Sequence, residues 1–159
     1  MAADVSSFFK GMSRAVVVGI GSDLRGDDAA GAMVARNLKA RVKSPNVLAI
    51  DAGVAPESFT SKIRKFKPSH VLLIDAADFG GGPGELIFTE SSATLGRSIS
   101  THRLPLSVLS EYLRNQTSAK VVLVGIQPSG AEIGGKMSEK VVGAVEELTA
   151  VLARKLSLL

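Results

Sequence analysis

Cysteine is absent from this sequence, which excludes disulfides, thiolate zinc sites, iron–sulfur clusters and a cysteine nucleophile together. Tryptophan is absent too, and one Tyr with six Phe brings the aromatics to only 4%. The core must therefore be built from Val, Leu, Ile and Ala, and no aromatic platform for stacking bases exists. There are two histidines, His70 and His102. A three-histidine metal site is excluded, and any imidazole that binds a metal or moves a proton is one of these two. No apolar run approaches the roughly 20 residues of a membrane span. The opening MAADVSSFFKGMSR lacks the apolar core of a signal peptide and carries Asp4, so it reads as neither leader nor anchor. The expectation is a soluble cytoplasmic protein without a membrane partner.

What is present is apolar and evenly spread. The 159 residues are 45% hydrophobic and 21% charged, enough for one domain that buries about two-thirds of its unfolded surface. No linker, repeat or low-complexity tract divides residues 1–159. The net charge of +4 is scattered and interleaved with acids, with no basic stripe, so nucleic acid is not expected as a partner. A monomer is compatible with the sequence, which does not speak to oligomeric state.

Strand-like and helix-like segments alternate, the pattern of an α/β sheet. Residues 15–20, 47–51, 71–75 and 121–126 are near-continuous apolar runs, as expected of central parallel strands covered on both faces. Residues 85–89 follow a glycine-rich turn, Gly80-Gly81-Gly82-Pro83-Gly84, and are expected to return as an antiparallel edge strand. Helices are expected over 28–42, 56–66, 106–115 and 138–156. In the last, Val141, Val145, Leu148, Leu152 and Leu156 form a stripe that should pack on the sheet. The fold class is a single three-layer α/β domain: a mostly parallel five-stranded twisted sheet with helices on both faces.

Ligands of open α/β sheets bind beyond the carboxyl ends of the strands. After the first run come Gly21-Ser22-Asp23-Leu24-Arg25-Gly26-Asp27-Asp28, after the second Asp51-Ala52-Gly53, after the third Asp75-Ala76-Ala77-Asp78, and after the fourth Gln127-Pro128. His102 lies in residues 91–104, a stretch of little periodicity free to fold over that rim. His70 precedes its strand, about five residues and roughly 16 Å from Asp75 at ordinary rise, and belongs at the other end. Gly19-Ile20-Gly21 invites a dinucleotide reading. However, the third glycine of that fingerprint is replaced by Leu24, and Asp23, Asp27 and Asp28 crowd the place a pyrophosphate would occupy. Only Asp51, as a ribose partner, keeps a nucleotide-binding protein as an alternative. Structural roles also stand: Asp27 as helix cap, Asp28 at the positive helix end, and Asp75 capping a turn over 76–78. Against them, two carboxylates on adjacent strand ends and one histidine on an overlying loop make an O,O,N set suited to a divalent transition metal. No Gly-x-Ser-x-Gly elbow and no His-Glu-x-x-His helix is present.

The stretch Gly19-Ile20-Gly21-Ser22-Asp23-Leu24-Arg25-Gly26-Asp27-Asp28-Ala29-Ala30-Gly31 resembles the signature loop of the NiFe-hydrogenase maturation endopeptidases. Ile50-Asp51-Ala52-Gly53, Ile74-Asp75-Ala76-Ala77-Asp78, Pro83-Gly84-Glu85, Thr101-His102-Arg103-Leu104-Pro105-Leu106 and Gly125-Ile126-Gln127-Pro128 are similar to further blocks of that family, in order. The last two are most similar to the branch that serves hydrogenases of the formate hydrogenlyase type. The resemblance implies that Asp28, Asp75 and His102 contact nickel, and that Asp51 serves activity or substrate positioning without ligating it. It also implies that the nickel is already installed in the precursor of the hydrogenase large subunit, which loses a short C-terminal extension by one cut. Two departures are Ser22, where most members carry Asn, and an N-terminal extension over 1–13.

A metal held by two carboxylates and one imidazole keeps open positions, so it can polarise a scissile carbonyl or acidify a bound water. The same three residues could instead only dock on the substrate's nickel, leaving the hydrolytic base unassigned. A non-catalytic nickel checkpoint on the same fold is the second reading.

Overall fold

The computed structural model of the chain describes residues 5–98, 104–129 and 135–159. Its centre is a sheet in the order β2-β1-β3-β6-β4, formed by β1 (Ala15–Ile20), β2 (Val47–Gly53), β3 (His70–Asp78), β4 (Leu86–Thr89) and β6 (Lys120–Ile126). β2, β1, β3 and β6 run parallel, and β4 closes the edge antiparallel to β6. All six residues of β1 are buried. Runs of β-branched residues with no polar alternation belong in a sheet covered on both faces, and this one is.

The cover comes from two helical layers. On one face Ala15, Val17, Leu72, Ile74, Val122 and Val124 pack with Val34 and Leu38 of α1 (Ala30–Arg41) and with Val141, Val145, Leu148, Leu152 and Leu156 of α5 (Glu139–Leu156). On the other, Val16, Val18, Val71, Leu73 and Leu123 pack with Ile63 of α2 (Thr60–Phe66) and with Leu109 and Leu113 of α4 (Leu106–Gln116). Adjacent strand residues thus fall into opposite cores, as the two-residue strand repeat requires. The expected five-stranded, three-layer domain is the observed one, with the α5 stripe in its core. Among the described residues no helix is long and apolar enough to cross a membrane.

Three local differences from expectation have physical causes. The helices expected from Asp28 and Pro56 open with tight 3-10 turns, Gly26–Ala29 and Pro56–Phe59, before α1 and α2 begin. Residues 92–98 are ordered as the single-turn helix α3 (Ser92–Leu95) and the strand β5 (Arg97–Ser98). That strand pairs antiparallel with Ala77 and Asp78, so β3 continues to Asp78. The capped turn expected at Asp75 is therefore replaced by strand: Asp75 is paired in register with Gly125 of β6. β5 is too short to show a period of its own.

The connection from β1 through α1 leads to β2 on one side, while β3 lies on the other, so the sheet reverses direction between β1 and β3. At that junction α1 is drawn unusually close. An added Cβ on Gly31 would lie 2.2 Å from the Ile74 carbonyl oxygen and 2.5 Å from that of Ile20. One on Gly19 would lie 2.2 Å from the Gly31 carbonyl oxygen. Only glycine permits this contact of backbone on backbone.

The opposite end of the sheet is closed by the N-terminal segment. Phe8 and Phe9 each lie 6.0 Å from the Phe88 ring and pack on the α1/α5 core. Ser69 Oγ receives the Ser13 and Arg14 amides at 2.9 and 3.1 Å and donates to the Arg14 carbonyl at 2.9 Å. His70, 4% exposed, lies beside this clasp with Nδ1 3.1 Å from Ser69 Oγ, at the end of β3 remote from Asp75.

Gly31→Ala is expected to destabilise the fold by roughly 2–3 kcal/mol, because neither carbonyl can retreat without moving a central strand; urea unfolding checks this. Burial first, then the Lys120 ammonium, pushes the His70 pKa down, against smaller opposing contributions from the Lys10 carbonyl and Glu90. The unfolded chain therefore takes up the proton more readily, so stability is full above about pH 6.5 and declines as the pH falls below it. Urea titrations at pH 7.5 and 5.5 should show a larger loss for the parent than for His70→Gln.

Candidate active site at the sheet switch point

The loop after β1 is shaped by backbone crowding. A Cβ on Gly21 would lie 2.1 Å from the Asp28 carbonyl oxygen, so the chain folds back on itself until the Gly26–Ala29 turn rests against the end of β1 and packs on β3. Gly26 starts that turn with φ +53°, a left-handed conformation that glycine adopts without steric cost. The turn delivers Asp28 to the rim, 2% exposed. Its Oδ2 accepts the Ser22 amide at 3.3 Å, while Ser22 Oγ accepts the Leu24 amide at 3.4 Å. The hydroxyl of Ser22 thus braces the loop backbone.

Asp75 is 1% exposed and directly follows Ile74, the residue whose carbonyl meets Gly31. It shares the α4 face of β3 with Leu73 and Ala77 and opens into a cleft of about 240 Å³ lined also by Leu95, Gly96, Pro105, Leu106 and Ser107. Two deeply buried carboxylates thus lie at the switch point, Asp28 on the turn that follows β1 and Asp75 on β3. Burying carboxylates is costly unless cations or donors compensate, and their oxygens suit a divalent cation. The third expected ligand, His102, lies outside the described residues. Of its flanks, Ser98 pairs with Ala77, and Pro105 and Leu106 line the Asp75 cleft. Among the described residues no group of three potential ligands gathers; Asp28 and Asp75 offer carboxylate oxygens, a donor type that divalent cations accept.

Asp51 stands apart from that pair. It is exposed on β2; its Oδ2 accepts Arg36 Nε at 2.7 Å and its Oδ1 accepts the Gly53 amide at 3.1 Å. Asp23 takes the other side of the same guanidinium. Hydrogen bonding to Asp51, then to Asp23, raises the pKa of Arg36 further. These groups line an open hollow of about 480 Å³ with Gly21, Ser22 and Leu24. With Asp51 already engaged by Arg36, the ribose contact of the nucleotide alternative has no support here.

Asp27 does not cap its own helix. The turn and α1 both lack a side-chain cap, and the Asp27 carboxylate turns away, accepting the Ser129 amide at 2.9 Å, the Ser138 amide at 2.7 Å and the Ser138 hydroxyl at 3.0 Å. Burial alone would raise its pKa, but the hydrogen bonds from Ser129 and Ser138 hold it below the ordinary value. These partners lie over a hundred positions away, beyond the reach of a local capping rule. Gln127 is a second organiser that the sequence left unassigned. Its Oε1 accepts the Phe79 and Gly81 amides at 3.0 and 3.1 Å, and its Nε2 donates to Asp78 Oδ1 at 3.1 Å. It pins the glycine-rich loop after β3, a role that neither its place at a strand end nor its block Gly125-Ile126-Gln127-Pro128 assigned to it.

The chain is similar to proteins of known kind. The family model of hydrogenase maturation proteases matches residues 32–155. The hydrogenase 3 maturation protease of Escherichia coli K12 is 33% identical over 132 residues, covering 82% of this chain and 83% of its own length. Among solved structures, a NiFe hydrogenase maturation protease from Thermococcus kodakarensis superposes with a TM-score of 0.86 at 42% identity, covering 96% of this chain and 97% of that one. An endopeptidase from E. coli superposes with a TM-score of 0.75 at 30% identity, covering 91% and 90%. With the family model spanning most of the chain, and relatives this similar along nearly their whole length, the chain belongs to the hydrogenase maturation protease family.

Proposed function

We propose that the chain is a nickel-dependent cytoplasmic endopeptidase that makes one cut in the precursor of a NiFe-hydrogenase large subunit, removing a short C-terminal extension after nickel insertion. The observation that carries this reading is the pair Asp28 and Asp75, buried carboxylates on the turn after β1 and on β3, at the switch point of a maturation protease fold. Family membership supports a precursor as substrate.

In this reading the nickel belongs to the substrate and is bound by Asp28 and Asp75, with His102 as the nitrogen donor. A nickel ion so held would polarise the scissile carbonyl or acidify a water. The chain's own contribution is placement. Asp28 is fixed by the Ser22 amide and by the glycine packing beneath it, and Asp75 by the central strand β3, so both oxygens are presented without reorganisation. Asp51, steadied by Arg36, stands beside the loop and positions the approaching peptide. Hydrolysis then adds one water across one peptide bond, its hydroxyl to the carbonyl carbon and its proton to the leaving amine.

Mass spectrometry of a matched large-subunit precursor, loaded or not with nickel and incubated with this protein, tests the reading. Loss of one C-terminal peptide from the nickel-loaded form alone is expected. Asp28→Asn and Asp75→Asn should each slow that cut by roughly a hundredfold or more while remaining folded. A stable complex with nickel-loaded precursor that is never shortened would instead establish the non-catalytic checkpoint.

A further inference from the structure

Asp27 and Asp28 are adjacent, yet their carboxylates serve different partners. In a 3-10 turn successive side chains are about 120° apart, so one aspartate faces the switch point while its neighbour faces α5. On that side the Asp27 carboxylate collects donors from two serines, among them Ser129 N–H, Ser138 N–H and Ser138 O–H. Ser129 lies just beyond β6, and Ser138 immediately precedes α5.

Two features show that this contact is more than a surface tie. The turn carrying Asp28 has only four residues, and an element so short does not hold a side chain to the fraction of an ångström that a reactive site demands. Something outside the turn must fix it. In addition, Ser138 occupies the N-cap position of α5, the place where serine ordinarily bonds the helix's own free amides. Its hydroxyl makes no such bond and goes to Asp27 instead. A local rule given up by an 18-residue helix marks a constraint imposed from the rim.

We propose that Asp27 is a positioning residue for the site: its carboxylate ties the Gly26–Ala29 turn to the end of β6 and the start of α5, and thereby sets where Asp28 stands. Charge-assisted bonds of this kind are roughly twice as strong as neutral ones. The negative charge also faces the positive N-terminal end of α5. An amide of the same shape has one acceptor oxygen and puts an NH2 donor where the other carboxylate oxygen receives a serine donor, so it keeps only part of this set. The proposal rests on the peptidase reading of the site.

The test uses the full chain with Asp27→Asn, Asp27→Glu and Ser138→Ala, each confirmed folded by its melting curve. One arm needs no substrate: amide hydrogen exchange at Ser22 and Asp28, whose N–H groups bond Asp28 Oδ2 and the Arg25 carbonyl. The other measures kcat and KM on nickel-loaded precursor. Asp27→Asn is expected to accelerate both exchanges and to lower kcat/KM by about tenfold or more, the usual cost of removing a residue that orients a ligand. Asp27→Glu, longer but still charged, should retain more activity than the isosteric Asn. Ser138→Ala should fall between, and should add nothing to Asp27→Asn. Unchanged exchange at Ser22 and Asp28, or Asn outperforming Glu, would overturn the proposal by showing that Asp27 only fills space. A parent chain that leaves the precursor intact removes the peptidase reading and the positioning role with it, whereas the exchange arm reports the Asp27–Asp28 coupling separately.

Discussion

Where α1 crosses the sheet, backbone lies on backbone. Gly31 sits against the carbonyls of Ile74 and Ile20, and Gly19 sits against Gly31. A single methyl group at either position would push the helix away from β1 and β3, and the turn at its start would move with it. Because Asp28 is three residues before Gly31, and Asp75 directly follows Ile74, the distance at which helix and sheet meet also sets the spacing of the two buried carboxylates. A packing constraint thus brings the rim into register, and the hydrogen bonds of the turn hold Asp28 there.

The molecule divides its work between the two ends of the sheet. At one end Phe8, Phe9 and Phe88 pack together and Ser69 clasps the chain before β1, while His70 stays buried and reluctant to ionise. At the other end acids dominate. Several are tied to specific partners: Asp23 and Asp51 share Arg36, Asp27 takes Ser129 and Ser138, and Asp78 takes Gln127. The exposed Asp23–Arg36–Asp51 ties contribute little to stability, since solvent screens them. Their effect is to stiffen the loop edge next to the Asp28 turn.

The fold was legible because its signals are regional. Val-rich runs, the α5 stripe and the alternation of elements each span many residues, so burial on both sides of the sheet follows from composition and period. Asp28, Asp75 and Asp51 were legible by position, as residues just past strand ends. What escaped depends on distant partners. Asp27 reads as a cap from its neighbours alone, and only the return of the chain at Ser129 and Ser138 gives its carboxylate another use. Asp75 reads as the end of a strand until β5, two residues long, extends β3 past it. Gln127 was legible only as a polar residue just past a strand, in a block similar to the family's, because the three partners of its side chain lie at the end of β3 and just beyond it, nearly fifty positions earlier.

The central claim is that Asp28 and Asp75 act as one unit across the switch point. A double-mutant cycle on precursor cleavage, with Asp28→Asn, Asp75→Asn and the pair together, tests it most directly. If both carboxylates hold the same ion, either single change already dismantles the site, and the double variant should be scarcely slower than the worse single. Losses that multiply, each aspartate contributing its full factor independently of the other, would contradict the account.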